Sequence, residues 1–482
     1  MFNLYINNFR SFKEQNFEFS RINILIGENS GGKSSLLKFL LSLKQTLESP
    51  FESNLKLIGD YTDLGNYEEM IYNKNKELNL EFEFSNSKDY TNYFIKLIDS
   101  IDSDFEEEKQ DLEEGEKIIN GIRRKRIKKI LKIINDYDKT PTKAKFILNN
   151  KLDEHNSIRT QFHNENLGDL EIISKKIKNE DFFRELNSDL VINFKNFKGT
   201  IKDCVSYKEG FFTLIGGELK SKLSKDFNLN DDEIEIMFYS LAYLLIFQNY
   251  INSLIDRIRF VNPIGTSPKR FYFNEDKKSN YKLIDIEKFI NILGNSSLSK
   301  KESDERLNLL NNIIKKFGIA EEIEIKKNSE LPIVALNIKT KDFWSNITDV
   351  GYGVSLQLPI LFQALLSENY TEEGETILIE QPEVHLHPNL QAKFISSLLS
   401  IGNKNSYFIE THSEHIIRKL QILVKNKEFG LTSNDISIYY FKREKEKFEI
   451  SKHKILENGT LSKKFPDGFY DTSYSLVKEL LE

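Results

Sequence analysis

Phe2, Leu4 and Ile6 alternate with polar neighbours, Phe17 and Phe19 do so again, and Ile22, Ile24 and Ile26 form a third apolar run that stops at Gly27. A period of two puts alternate side chains on one face, so strands are expected in all three places. At Lys33 the spacing changes to Leu36, Leu37, Leu40 and Leu41, one face of a helix expected to run until Pro50. Beyond residue 255 strands are expected at 256–261, 377–379 and 407–410, and helices at 283–293, 358–366 and 389–399. The ends of the chain thus read as an α/β fold.

Residues 86–254 differ in character. Long polar and charged stretches predict a mostly helical insertion, with strand signal only at 190–215. An acidic run at 102–116 precedes a basic one containing Arg123, Arg124, Lys125, Arg126, Lys128 and Lys129, and Ile119, Ile122, Ile127, Ile130 and Ile134 recur at helical spacing. A helical hairpin against 167–190 is expected, without the sustained heptads of a long coiled coil. The basic run has two readings: a contact with DNA, or a solvated face paired with the acidic run.

Composition narrows the function classes. At 482 residues, with 39% hydrophobic and 29% charged, the chain is expected to be globular, with about three units at roughly 150 residues each. Its longest apolar stretch, 241–247, falls short of the ~18 residues a membrane span needs. The N-terminus lacks the basic and apolar regions of a signal peptide, so a cytoplasmic protein is expected. Cys204 is the single cysteine, which excludes an intrachain disulfide and a Cys-rich zinc site. A net charge of -6 gives no global attraction to nucleic acid, so any such contact must be local.

Gly27, Glu28, Asn29, Ser30, Gly31, Gly32, Lys33 and Ser34 fit the phosphate-binding pattern G-x-x-x-x-G-K-[ST], with Ser35 following, between an expected strand and an expected helix. Glycines let the loop curl so that its amides point at phosphate oxygens, and the helix N-terminus adds partial positive charge. Lys33 would reach the β- and γ-phosphates of ATP, and Ser34 would hold Mg2+. Downstream, the apolar run Ile377, Leu378, Ile379 ends in Glu380, Gln381, Pro382 and Glu383; Glu380 is the expected second anchor of Mg2+. The strand at 407–410 ends in Glu410, Thr411, His412 and Ser413, where His412 would sense the γ-phosphate. Between them Gly351, Gly353 and Ser355 precede an apolar helix, a second anion-binding N-terminus. One chain with two phosphate sites suggests a homodimer across ATP, with higher assembly left open.

These four motifs, in this order, resemble the ABC-type ATPase heads of the RecF, SMC and OLD-like clan. They are most similar to a prokaryotic branch with Asp-Val-Gly-x-Gly-x-Ser, Ile-Glu-Gln-Pro-Glu-x-His-Leu-His-Pro and Glu-Thr-His-Ser, here at 349–355, 379–388 and 410–413. Phe465 and Pro466 look like the start of that branch's small tail module, and Pro268, Lys269 and Arg270 resemble the segment before its C-terminal lobe. The resemblance implies an ABC-type ATPase head at 1–85 and 255–430, interrupted by the insertion at 86–254 and followed by a small module at 431–482. It also implies that Arg10 and Phe12 lie in the stretch that approaches the adenine, although Phe12 reads equally as a core aromatic.

Two departures stand out. The loop at 63–67 lacks the Gln that often joins the metal there, and Gln381 stands where the Glu that activates water is usual. Loss of a general base costs about 10² to 10⁴-fold, so either Glu383 takes that role in a slow ATPase or the protein is an ATP-locked scaffold. The short stretch after His412 shows no nuclease motif, so the resemblance implies an effector nuclease supplied in trans, in anti-phage defence. A DNA-repair or chromosome-binding ATPase acting on DNA directly is the alternative.

Overall fold

The structure is a computed structural model that describes residues 2–49, 55–85, 141–148, 158–175, 185–195, 197–209, 212–215, 231–261, 267–273, 283–294, 300–328, 330–341, 343–444, 447–466 and 479–481. The chain divides into two compact units, Met1–Phe19 with Ser42–Asp256, and Ser20–Leu41 with Arg257–Glu482.

In the first unit, nine antiparallel strands form one sheet: β1 (Asn3–Asn7), β2 (Gln15–Glu18), β4 (Leu80–Ser85), β5 (Thr142–Leu148), β6 (Ile158–Asn164), β7 (Gly168–Lys175), β8 (Glu185–Phe194), β9 (Phe197–Glu209) and β10 (Phe212–Ile215). Their order is β10-β9-β8-β7-β6-β5-β4-β1-β2. Alternation builds the buried face: in β4 every second residue is buried, and Phe82 stacks on its cross-strand partner Phe146 at 5.0 Å. A four-residue helix, α2 (Tyr67–Met70), starts with a capping box between Asn66 and Glu69. The long helix α3 (Asp231–Asp256) is tied to β5 by a 2.8 Å hydrogen bond between the Tyr243 and Thr142 hydroxyls.

The described part of 86–254 therefore corrects the expectation of a mostly helical insertion, because it runs mainly as strands β5–β10. Within 167–190, expected as the second helix of a hairpin, the described residues supply β7 and the start of β8. The alternation was hidden because several inward positions are polar. Thr142, Thr160 and Asn164 are all buried, and Asn164 is satisfied by donating to Thr142 (2.9 Å) and accepting from the amides of Asn166 and Leu167 (3.0 Å each). The acidic and basic runs, and with them the DNA-contact reading, lie outside the described residues.

The second unit holds the site. Its main sheet has the order β13-β11-β17-β18-β3-β19-β20, from β3 (Ile22–Gly27), β11 (Ile258–Val261), β13 (Leu283–Ile284), β17 (Thr376–Glu380), β18 (Ser406–Glu410), β19 (Ile436–Glu444) and β20 (Lys447–His453). All pairs are parallel except β19 with β20. Its helices are the first turns of α1 (Lys33–Leu47), then α4 (Ile286–Gly294), α5 (Lys300–Phe317), α6 (Tyr352–Tyr370), α7 (Pro388–Leu399) and α8 (Glu414–Lys425). A second small antiparallel sheet joins β12 (Tyr272–Phe273), β14 (Glu322–Lys327), β15 (Ile333–Thr340) and β16 (Phe343–Asn346). The central strands are mostly apolar and buried on both faces, as helix-covered parallel strands must be, with Asn23 of β3 the buried polar exception among their interior positions.

The expected α/β class is thus observed. The predicted strand at 256–261 loses its first residues to the end of α3, and the predicted helix at 283–293 begins after the short β13. The segment from 431, expected as a separate small module, contributes β19 and β20 to the main sheet. Among the described residues no helix is long and apolar enough to cross a membrane.

Ile409 sits fully buried on β18, between β17 and β3. Ile409→Ala is expected to lower the unfolding free energy by about 2–5 kcal/mol, read as a lower denaturant midpoint with an unchanged slope. A loss below ~1 kcal/mol would contradict this packing.

Candidate functional site

The C-terminal ends of β3, β17 and β18 converge, the position where parallel α/β sheets place ligands. β3 leaves the sheet at Gly27, whose φ of 130° and lack of a side chain are both needed: a Cβ there would lie 2.0 Å from the Phe441 carbonyl oxygen on β19. The Glu28 amide donates to that same oxygen (3.0 Å) and the Gly31 amide to Glu28 O (3.1 Å), curling the loop. Ser30 and Gly32 continue the curl at φ 60° and 102°. Glu28, Asn29 and Ser30 are exposed, and the Ser35 amide closes the first turn of α1 on Gly32 O (3.0 Å).

Lys33 is buried and folds its ammonium back over the loop, donating to Gly27 O (3.1 Å) and Glu28 O (2.7 Å). Burial pulls its pKa down, against the opposing carboxylates of Glu410, Glu28 and Glu383. The next residue, Ser34, donates its hydroxyl to Glu410 Oε1 at 2.9 Å. Glu410 ends β18 directly opposite Glu380, the last residue of β17. Burial first, then the neighbouring Glu410, pushes the Glu380 carboxyl up to about 7, with Lys38 opposing. Burial likewise raises Glu410, opposed by the Ser34 hydrogen bond and by Lys33.

Glu410 is only 3% exposed, and its Oε2 has no hydrogen-bond partner among the described residues. A partner-free buried carboxylate oxygen beside a second carboxylate and a hydroxyl is a hard-oxygen donor set of the kind Mg2+ prefers. No cluster of three or more His, Cys, Asp or Glu side chains suited to a metal occurs among the described residues. A cation here would draw its remaining oxygens from water and ligand phosphates.

Both Glu383 oxygens accept hydrogen bonds, Oε2 from the Thr411 hydroxyl (2.7 Å) and Oε1 from the His412 amide (2.6 Å). The His412 imidazole is pulled down by partial burial and by Lys33, with Glu383 opposing. Gln381 adopts φ 45° and is pinned by its amide to Glu410 O (2.7 Å).

Gly353 and Ser355 sit at the start of α6, against their own chain. A Cβ on Gly353 would meet His385 O at 2.6 Å, and the buried Ser355 hydroxyl donates to Tyr352 O (2.7 Å). Gln357, which sequence reasoning did not single out, is fully buried and donates to Pro382 O at 2.7 Å. Gly351 caps this helix in open space.

Arg10 and Phe12 belong to the first unit. Phe12 is fully buried, its ring 6.2 Å from that of Phe9 and 5.6 Å from that of Phe17, and offers no face to a base: it is a core aromatic. Arg10 is pulled down by burial, against Asp63 and Glu69. In the loop without the expected Gln, Asp63 accepts from the Gly65 amide at 2.7 Å.

The structure therefore gathers the loop 27–35, Glu380, Gln381, Glu383 and His412, and adds Glu410. That residue was legible only as the acidic end of a second apolar strand, a mirror of Glu380.

A family model described as an AAA ATPase domain matches residues 1–417, and one described as a protein of unknown function (DUF3696) matches residues 431–480. No curated protein matches the chain. Similar solved structures include an SMC head bound to the C-terminal winged-helix domain of ScpA, at 11% identity over 93% of this chain and 96% of that one, with a TM-score of 0.38. The SMC head domain from Thermotoga maritima is 9% identical over 93% and 97%, with a TM-score of 0.35. An Smc head domain with an extended coiled coil, bound to the C-terminal domain of ScpA derived from Pyrococcus furiosus, is 9% identical over 100% of both chains, with a TM-score of 0.36.

Glu383→Ala is expected to accelerate hydrogen exchange at the His412 amide at least tenfold, because that amide loses its acceptor. An unchanged rate in exchange mass spectrometry would refute the clamp.

Proposed function

The chain belongs to the AAA ATPase domain family, and from that premise we propose that it binds Mg-ATP on the loop 27–35, hydrolyses it slowly and dimerises around it. The observation that carries this reading is the convergence of Lys33, Ser34, Glu410 and Glu380 at the ends of three adjacent parallel strands. The loop amides and the N-terminus of α1 would cradle the phosphates, and Lys33 would exchange its two carbonyl contacts for phosphate oxygens. Ser34 and Glu380 would hold Mg2+, which when bound neutralises charge developing on the transferred phosphoryl group.

Water activation is where this site is weakest. Gln381 can orient a water but cannot take its proton, and both Glu383 oxygens already accept a hydrogen bond, from Thr411 and His412. Glu383 thus acts as the clamp of His412 in this arrangement, and the two hydrogen bonds it accepts compete with a water for its lone pairs. A missing base corresponds to roughly 3–5 kcal/mol of barrier. This supports a slow ATPase, and the ATP-locked scaffold is the limit of the same reading.

Control of an effector nuclease in trans, in anti-phage defence, belongs to this proposal and is supported by the motif resemblance alone. A small nuclease gene beside the coding gene favours it; neighbouring repair genes favour an ATPase that acts on DNA directly.

Lys33→Ala is expected to abolish ATP binding in calorimetric titration; unchanged affinity would sink the phosphate-loop reading. Gln381→Glu should raise single-turnover hydrolysis at least tenfold, and an equal rate would show that the missing base is not limiting. For the dimer, the exposed Gly351 is a cleaner probe than the buried Ser355. Gly351→Glu should leave ATP binding and the melting temperature intact while light scattering shows loss of ATP-induced dimerisation; a variant that still dimerises would remove the N-terminus of α6 from the interface.

A further inference from the structure

We propose that Glu410 is a second carboxylate arm of the Mg2+ site, supplying the metal contact for which the loop at 63–67 offers no glutamine. This rests on the reading of the loop 27–35 as an ATP site and assigns a role to a residue outside it. Glu410 is nearly inaccessible, its Oε1 holds the Ser34 hydroxyl at 2.9 Å, and its Oε2 has no hydrogen-bond partner. It forms no ion pair among the described residues, and two of the three donors of the nearby Lys33 ammonium go to backbone carbonyls.

An idle charged oxygen in a buried site is costly, and two carboxylates facing each other in register raise that cost. A carboxylate kept only to accept from Ser34 would do so at less expense as a neutral amide. What a second acid gains is a cation. Mg2+ binds through one or two carboxylates together with phosphate and water oxygens, at short distances and with strict directions. With its proton committed to Glu410 Oε1, Ser34 keeps its lone pairs for the metal, the orientation a ligand needs from its neighbour. Glu410 Oε2 then joins Glu380 as an acidic oxygen facing the same cation.

This arrangement predicts effects of opposite sign. Without metal, Glu410 repels the triphosphate; with metal, it holds it. Replacing it by glutamine should therefore strengthen or spare ATP binding in EDTA and weaken it in Mg2+, whereas a merely structural residue would weaken both together.

The test is calorimetric titration of ATP into the full chain, wild type, Glu410→Gln and Glu410→Ser, in Mg2+ and in EDTA. It is joined by electron paramagnetic resonance of Mn2+ bound in the presence of ATP. The ratio of affinities with and without metal should fall at least tenfold in both variants, and bound Mn2+ should fall with it, while affinity in EDTA holds or rises. An unchanged ratio, or parallel losses in both buffers in variants that melt like wild type, would overturn the role of Glu410 while leaving the ATP site standing. A wild-type chain that binds no ATP in either buffer would instead overturn the ATP site, and this inference with it.

Discussion

Glu380 and Glu410 meet because parallel strands pair residue with residue, and each of these acids is the last residue of its strand. That register is fixed by six apolar residues, Ile377 to Ile379 opposite Tyr407 to Ile409, all buried. A slip by one residue would set a polar strand end, Thr376 or Glu380, against that buried stretch. The hydrophobic interior thus forces together two acidic groups that would separate if free. β3 is the next strand along, and Gly27 and Ser34 arrive beside the acids through the same ladder. Core packing and site chemistry are one constraint here, seen from the two ends of three strands.

The loop that follows β17 links the site to the rest of its unit. From one side α6 reaches it, with Gln357 donating to Pro382 O and Gly353 resting against His385 O. From the other, Glu383 grips Thr411 and His412, and Ser413 caps α8 by accepting from the Ile416 amide. A change at His412 therefore reaches α6 through four residues of loop. The glycine at 353 reads in sequence as an anion-binding device, yet its immediate physical reason is close packing on that loop.

Much of the second unit was legible in the sequence. Apolar runs ending in Gly27, Glu380 and Glu410 are strands, and the leucines after Lys33 are a helix, because both faces of these strands are mostly apolar and only Asn23 interrupts the signal. In the first unit the opening strands were legible but β5 to β7 were not, because Thr142, Thr160 and Asn164 occupy inward positions there, and the hydrogen bond between Asn164 and Thr142 leaves no trace in hydropathy. At the site, the phosphate loop announced itself through glycine spacing. The partnership of Ser34 with Glu410 did not, since 376 residues separate them and only the strand order makes them neighbours. Phe12 shows the converse: a position that resemblance left open is decided by burial.

β19 gives the last consequence. It is the neighbour of β3 on the side away from β18, and its Phe441 carbonyl is the wall against which Gly27 turns. Yet β19 lies wholly within the stretch matched by a different family model from the one that covers the phosphate loop. The two matched regions are not separable parts. A product ending near residue 430 would leave β3, buried along its whole length in the full chain, as a bare edge, a template on which other chains can add strands. Such a fragment is expected to self-associate rather than merely lose activity, so β19 closes an edge as well as completing the loop's wall.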